Sequence, residues 1–225
     1  MPRATLRLHH AASVALRRAL PGVAREDPNA LFVASSFIAI YAFASPSVVR
    51  HGDDPRALAW FPVLRGIPAV TRGVTNVLRE LAPKLAVPAG GPARHAALLP
   101  PLPADLGLVA DAVADADERE VIRAAIGVLR HSWELHRAMT NDFWLAAAFM
   151  WPAKLDARFV HLMAERRPAA LILLAYYNAM FSMLSGFWWI GARAKEELAV
   201  IEKIVDKDWG DRWLPWVRKV VAGDG

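Results

Sequence analysis

Apolar residues recur along this chain at the spacing of an amphipathic helix, and proline or glycine interrupts them at short intervals. The stretch 3–20 carries leucines at helical spacing and ends at Pro21. Asp27 and Pro28 mark the start of a second, very apolar helix, and a third helical region reaches Leu81. Nowhere does the sequence alternate apolar and polar residues as a half-buried strand would. The pattern predicts an all-α fold, a multi-helix domain of antiparallel helical hairpins.

The segment 83–103 breaks this helical pattern. It contains Gly90 and Gly91 together with six prolines, and these residues disfavour regular structure. A loop of this length is uncommon in a compact domain, so we expect it to be either mobile or functional. We predict a single domain over 1–225 that contains this one long Pro/Gly-rich loop.

Helical signals resume after the loop. Residues 105–115 are predicted to form a short acidic helix. Asp115 and Glu118 have the spacing of a capping box, in which each side chain accepts a hydrogen bond from the other residue's backbone N–H. This box opens a longer helix, whose predicted apolar stripe is Val121, Ala125, Val128 and Leu129.

The C-terminal part, 140–221, is predicted to consist of helices separated by helix-breaking residues. Thr140 caps a short aromatic helix that ends at Pro152. Pro168 suits the first position of a long apolar helix, which Gly186 interrupts. Further helices are predicted over 154–166, up to Val205, and over 208–221.

The run 168–192 contains 25 residues without a charge, which is long enough to span a bilayer. Against a span, Asn178, Ser182 and Ser185 fall on one helical face, and basic residues flank both ends. The same small polar residues also fit helix packing inside a membrane. We expect no stable membrane insertion, and the alternative is an integral membrane or lipid-binding helical protein built around 168–192.

Composition narrows the chemistry that is available to the chain. The 225 residues include no cysteine, which excludes disulfides, thiolate zinc sites and cysteine nucleophiles. The net charge of +5 raises the question of nucleic-acid binding. The basic residues are scattered, however, and most lie beside acids, as Lys195 lies beside Glu196. Without a clustered phosphate footprint, direct DNA contact by this chain is not predicted.

The residues that could form a catalytic or metal site do not have the sequence spacing that such sites require. His9 and His10 are adjacent, and His131 and His136 are five positions apart, whereas histidines that share a zinc ion on a helix stand four apart. The acidic residues within 105–120 are typical of a solvated helix face. The sequence has neither a Walker phosphate loop nor a G-x-S-x-G nucleophile elbow. We predict a non-enzymatic protein with no catalytic residue, no bound metal and no cofactor of its own.

The order of several segments resembles a known protein family. The block 166–178 is similar to the effector domain of fungal Zn(2)-Cys(6) zinc-cluster transcription factors of the sterol uptake control protein type. The tail 209–216, with its three tryptophans, is similar to the end of that domain. Together with matching segments at 30–44, 60–66 and 149–163, the resemblance covers nearly the whole chain.

The resemblance implies an all-helical, ligand-responsive effector domain that forms a homodimer and regulates transcription. The nucleus is its expected location, with the cytoplasm as the alternative when ligand is bound. Sterol-sensing members hold a sterol in a hydrophobic pocket. Members read DNA through an N-terminal six-cysteine cluster that binds two zinc ions. Because this chain has no cysteine, we expect both DNA contact and zinc to belong to a missing N-terminal domain.

A sterol or another apolar small molecule would bind among the aromatic and methionine side chains of the C-terminal helices. Asn178 or Ser182 could anchor a ligand hydroxyl. Asn178 most needs a partner, since a buried amide without partners costs about 1–3 kcal/mol. Ordinary core packing is the competing interpretation for each residue. The predicted ligand-binding residues are Phe149, Trp151, Tyr176, Tyr177, Asn178, Met180, Ser182, Met183, Leu184, Trp188 and Trp189.

Overall fold

The computed structural model of the protein describes residues 99–138, 150–152, 154–182 and 193–223, together with Val14. Apart from Val14, these residues belong to one compact unit, Gly90–Gly225. The three helices predicted before residue 82 lie outside the described residues, apart from Val14. The loop residues 83–98, the segment 140–149 and the interruption at Gly186 also lie outside them. A single domain over 1–225 therefore stays a prediction.

The described residues form helices and no strands, which confirms the all-α prediction for this part of the chain. A 3₁₀ helix at Ala104–Gly107 comes first, and residues 150–152 are also helical. The pairing of helices into antiparallel hairpins stays a prediction. The α-helices are α1 (Leu108–Asp111), α2 (Ala116–Ala138), α3 (Ala157–Ala164), α4 (Pro168–Ser182), α5 (Arg193–Ile204), α6 (Lys207–Trp213) and α7 (Pro215–Ala222).

The core is built around α4, which begins at Pro168 as predicted. Every residue from Ala169 to Phe181 is buried, because α2, α3, α5, α6 and α7 all pack against this helix. The contact with α5 is the most extensive. A helix that is apolar on all faces is typical of the centre of a bundle, and each leucine or isoleucine buried there contributes about 1.5–3 kcal/mol.

The membrane interpretation concerns the run 168–192, of which the described part of α4 covers the first 15 residues. A transmembrane helix needs about 20 residues. Within the described ranges, no helix combines the length and the apolar character that crossing a bilayer requires. Residues 183–192 of the uncharged run lie outside those ranges.

The capping box at the start of α2 is half confirmed. The Glu118 N–H donates to Asp115 Oδ1 at 2.7 Å, as predicted. The Glu118 carboxylate does not complete the box, because its Oε2 accepts hydrogen bonds from Arg167 Nε and Nη2 at 3.0 and 2.5 Å. A charge-assisted pair of this kind is stronger than a bond to a neutral backbone N–H. The ion pair joins the first turn of α2 to the residue just before α4, and it raises the pKa of Arg167 further above its ordinary value.

The buried face of α2 differs from the predicted stripe by about one residue. Ala125 and Leu129 are buried as predicted, but Val121 and Val128 are only half-buried. The neighbouring positions Ile122, Ile126 and Trp133 are buried in their place. Apolar residues occupy adjacent positions here, so the periodicity alone could not fix which side faces α4.

The ends of α3 are set by local hydrogen bonds. Asp156 Oδ1 accepts from the Arg158 N–H at 2.7 Å, so α3 begins after the predicted start of 154. At the other end Arg166 adopts a left-handed φ of 59°. Its N–H donates to Met163 O at 3.0 Å, and the Arg167 N–H donates to Leu162 O at 2.9 Å. These two bonds form a Schellman motif, in which arginine stands where glycine is usual.

Two predicted helices are each divided in the structure. The segment 105–115 forms the 3₁₀ helix and the four-residue α1, with a turn after them. The segment 208–221 forms α6 and α7, which separate at Leu214 because Pro215 starts a new helix. Asp206 caps α6 by accepting from the Trp209 N–H at 2.9 Å. Residues 99–103, at the end of the predicted loop, are not helical, in agreement with the sequence.

Candidate functional site

Five of the predicted ligand-binding residues lie in the core formed around α4. They are all less than about one-twentieth exposed, and they are Trp151, Tyr176, Tyr177, Asn178 and Met180. Ser182, at the end of α4, is half-buried. Five further predicted residues lie outside the described ranges, so the structure neither places nor excludes them in the site. These are Phe149, Met183, Leu184, Trp188 and Trp189.

Trp151 is held from several sides. Its Nε1 donates to Ala125 O on α2 at 3.0 Å. Its ring centroid lies 4.6 Å from that of Tyr177 and 5.5 Å from that of Phe159, with the second ring meeting it edge-on. Tyr177 in turn meets Phe181 edge-on at 5.1 Å. This chain of aromatic contacts ties α2, α3 and α4 together, which gives Trp151 a structural role in the described core.

Tyr176 points away from this group, towards α7. Its ring stacks on Trp216 with centroids 5.2 Å apart and planes 8° from parallel. Burial raises the pKa of Tyr176 to about 12, and the negative charge of Asp105 adds to the shift. Burial also raises the pKa of Tyr177 well above its ordinary value. Both phenols therefore stay protonated and neutral at physiological pH.

Asn178 is the polar side chain of α4 that packing does not explain. It is 2% exposed, and neither Nδ2 nor Oδ1 has a hydrogen-bond partner among the described residues. An amide offers two donor hydrogens and an acceptor oxygen, and leaving such groups buried without partners costs about 1–3 kcal/mol. An amide in this state could bind a hydroxyl or carbonyl group within an apolar environment.

Ser182 is a weaker candidate for binding a ligand hydroxyl than the sequence suggested. Its Oγ donates to Ala179 O in the preceding turn at 2.7 Å, and lies 3.4 Å from Val220 O on α7. A hydroxyl has a single hydrogen, and that hydrogen is used here within the protein. Ser182 could therefore only accept a hydrogen bond, which leaves Asn178 as the better candidate for an anchor.

A groove of about 420 Å³ lies elsewhere, between α2 and α3. None of the predicted ligand-binding residues lines it. Its walls combine apolar and charged side chains, and Arg158 on its edge is only 3.9 Å from Asp117. The lining residues are Asp115, Glu118, Val121, Ala157, Arg158, His161 and Leu162.

The acidic residues within 105–120 follow the prediction of a solvated face with one exception. Asp105, Asp111, Asp117 and Glu120 are exposed. Glu118 is 9% exposed, and for this residue the prediction is wrong, because Arg167, just before α4, compensates its charge. The periodicity of α2 alone gave no sign of a partner 49 residues away in sequence.

The histidine pair on α2 points in two directions. His131 is exposed and His136 is buried, as expected for positions five apart on a helix. In the parts of the chain that the structure describes, no group of three or more histidine or acidic side chains could hold a metal ion. His9 and His10 lie outside those parts.

Two tryptophans that the sequence did not single out as site residues connect α2 with α7. The rings of Trp133 and Trp216 lie 5.7 Å apart, with planes inclined by 55°. Trp133 is fully buried, and its Nε1 donates to Pro100 O at 2.8 Å. The tryptophans of the tail 209–216 thus include a packing contact that no local pattern could assign to a partner.

The sequence was compared with known proteins. No protein-family profile and no solved structure matches it. It is 25% identical over 222 residues to a Zn(2)-C6 fungal-type transcription factor of Gibberella zeae, and the match covers 91% of this chain and 44% of that protein. The chain thus spans less than half of this relative's length, and the match does not single out the sterol uptake type. Along nearly its whole length, this chain is a distant relative of a fungal transcription factor of the Zn(2)-C6 type.

Proposed function

We propose that this chain is a regulatory effector domain that controls transcription in the nucleus and has no enzymatic activity. The observation that carries the proposal is the similarity to a Zn(2)-C6 fungal-type transcription factor over 91% of the chain. The all-helical core around α4 fits an effector domain. DNA contact and zinc binding belong, in this proposal, to a six-cysteine domain that this cysteine-free sequence does not contain.

A tethering experiment tests the regulatory role. Residues 1–225 are fused to an unrelated DNA-binding domain, and transcription of a reporter gene is compared with that given by the DNA-binding domain alone. We expect the fusion to raise or lower reporter output. The matched control is Leu173→Asp, which places a charge at a fully buried position of α4 and should abolish the effect. A stable fusion with the output of the DNA-binding domain alone would argue against the proposal.

The ligand that the domain senses is proposed to be a sterol or another flat apolar molecule with a single polar group. Asn178 supports this idea, because a buried amide without partners among the described residues suits a hydroxyl group at the end of an apolar body. The walls would come from the remaining candidates, of which Tyr177 and Met180 are buried on the same helix, α4.

Thermal unfolding of the full chain tests the ligand proposal separately from regulation. A sterol delivered as a cyclodextrin complex should raise the melting temperature, because a ligand that binds only the folded state stabilises it by mass action. At a free concentration of about 100 times Kd the gain is about 2.7 kcal/mol. Empty cyclodextrin is the control. If no sterol shifts the transition while the tethered fusion still regulates, the sensor idea fails and the regulatory role stands.

A homodimer is the assembly proposed for the chain. Light scattering during size-exclusion chromatography should give twice the chain mass of 24.7 kDa. A single chain mass at all concentrations tested would contradict this expectation.

A further inference from the structure

Residues 99–103, here called the strap, carry the sequence Leu-Pro-Pro-Leu-Pro. Three of these five residues lack an N–H, so the strap cannot form a helix or join a sheet as a central strand. Pro103 has φ −54° and ψ 138°, close to the polyproline II conformation. Apart from Pro103 O, which accepts from the Leu106 N–H at 3.3 Å, the strap carbonyl groups therefore need side chains or water as donors.

Three side chains of α2 satisfy those carbonyl groups. Trp133 Nε1 donates to Pro100 O at 2.8 Å, and Arg137 Nε donates to Leu99 O at 3.1 Å. Arg130 Nη2 lies 3.3 Å from Pro103 O and 3.0 Å from Ala104 O, and donates to both. The positions 130, 133 and 137 fall on one face of the helix. We call these three residues the donor row.

The donor row contacts the strap mainly through main-chain atoms. Leu99 is 2% exposed and is the buried anchor of the strap, whereas Pro101 is exposed. Behind the row, Trp133 lies 5.7 Å from Trp216, so its indole is backed by a second aromatic ring. An aromatic surface with N–H donors facing the carbonyl groups of an extended proline-rich segment is the arrangement by which proteins recognise polyproline II ligands.

We propose that the donor row, backed by Trp216, is a recognition site for a proline-rich segment of another protein, and that the strap occupies this site as an intramolecular competitor. The strap shows which chemistry the site accepts: a buried leucine followed by prolines, of which Pro103 is close to polyproline II. One buried side chain and a few side-chain hydrogen bonds hold it, so its local release costs far less than global unfolding. A partner must still compete with an effective concentration of order 1 mM.

Peptide binding to the full chain tests the proposal. The probe is a fluorescent peptide with the sequence of residues 96–106, and its anisotropy is followed on titration with protein. Leu99→Asp releases the strap, because a charged side chain is costly to bury. We expect this variant to bind the peptide at least about tenfold more tightly than the wild-type chain does. Adding Trp133→Phe to Leu99→Asp should weaken binding by about tenfold, since it removes one donor and keeps an aromatic ring.

A second peptide, with alanine in place of its three prolines, is the specificity control and should bind much more weakly. Any of four results would overturn the proposal. Both peptides could bind equally, or the wild type and Leu99→Asp could bind the first peptide equally. Binding could also survive Trp133→Phe, or no binding could be detected. A wild-type dimer that Leu99→Asp dissociates would also overturn it, in favour of strap exchange between two copies. If Leu99→Asp lowers the helix content measured by circular dichroism, the same titrations with Leu99→Ala decide by the same criteria.

Discussion

The neighbouring tyrosines of α4, Tyr176 and Tyr177, are buried in the core, and burial raises the pKa of both phenol groups. A raised pKa means that the folded state holds the phenolic proton more tightly than the unfolded chain does. The stability linked to that proton is fully present below the ordinary pKa of 10.0. It is lost as the pH rises from there to the folded-state pKa, because ionisation then favours the unfolded chain.

Tyr176 should therefore make the protein sensitive to alkali. Between pH 10 and about 12, we expect the wild type to lose about 2 kcal/mol more unfolding free energy than Tyr176→Phe loses. The variant keeps the ring that stacks on Trp216 and lacks only the titrating hydroxyl. Urea unfolding of both proteins across this pH range measures the difference. The same alkaline loss in both would show that Tyr176 is not the titrating group.

The buried amide of Asn178 should lower the stability of the protein when no ligand is bound. We expect Asn178→Leu, which keeps the branching at Cγ and removes the polar atoms, to raise the free energy of unfolding by about 1–2 kcal/mol. Asn178→Ala is the control, since it removes the same polar atoms but leaves a void and should gain less. Urea unfolding at neutral pH gives both values. A less stable Asn178→Leu protein would mean that the amide serves the fold.

At the scale of the elements, the turn between α3 and α4 combines a strained residue with an ion pair. The left-handed backbone conformation of Arg166 is sterically unfavourable, and Arg167 beside it compensates the charge of the buried Glu118. The same three-residue connection thus contains one feature that lowers stability and one that raises it.

Arg166→Gly should stabilise the protein by about 1 kcal/mol, because glycine adopts a positive φ without the steric cost that a Cβ atom brings. Arg166 is exposed, so little packing is lost. Arg166→Ala keeps the Cβ atom and is the matched control, for which no gain is expected. Chemical denaturation compares the three proteins. An equal gain in the glycine and alanine variants would trace the effect to the lost charge.

Arg167→Ala should lower the melting temperature, because it leaves the nearly buried Glu118 carboxylate without its partner. Arg158→Ala is the matched control, since Arg158 and Asp117 are both exposed and 3.9 Å apart, and such pairs contribute little. Calorimetry of the two variants gives the comparison. Similar melting temperatures would mean that Glu118 is well solvated.

Helix starts marked by a capping residue or a proline were predictable, because these signals are local. Asp115, Pro168 and the non-helical prolines of the strap act through neighbours within a few residues. Contacts between distant segments could not be predicted in this way. The bond from Trp133 to Pro100 and the pair of Arg167 with Glu118 join residues 33 and 49 positions apart.

For the candidate site too, the residue types could be predicted from the sequence, but their packing partners could not. Its apolar character follows from the composition of α4, and Asn178 stands out in the sequence as a lone amide. Whether the aromatic residues face a ligand or each other is decided by packing, which uses Trp151 to join α2, α3 and α4. Sequence periodicity contains no information on such partners, so it could not separate a pocket wall from ordinary core.

At the scale of the whole molecule, α4 lies at the centre of the described helices, and anything that binds beside it touches the common core. A ligand at Asn178 would then act on α2, α5 and α7 through packing, which gives an effector domain a direct way to respond. We propose that this chain converts such binding into a change of transcription.

Reporter output of the tethered chain, measured as the sterol supply is varied, tests that claim most directly. We predict that output from the wild-type fusion changes with sterol supply, and that Asn178→Leu, which should fold at least as stably, no longer responds. Output that is independent of sterol in the wild type, or that responds equally in the wild type and Asn178→Leu, would contradict the account.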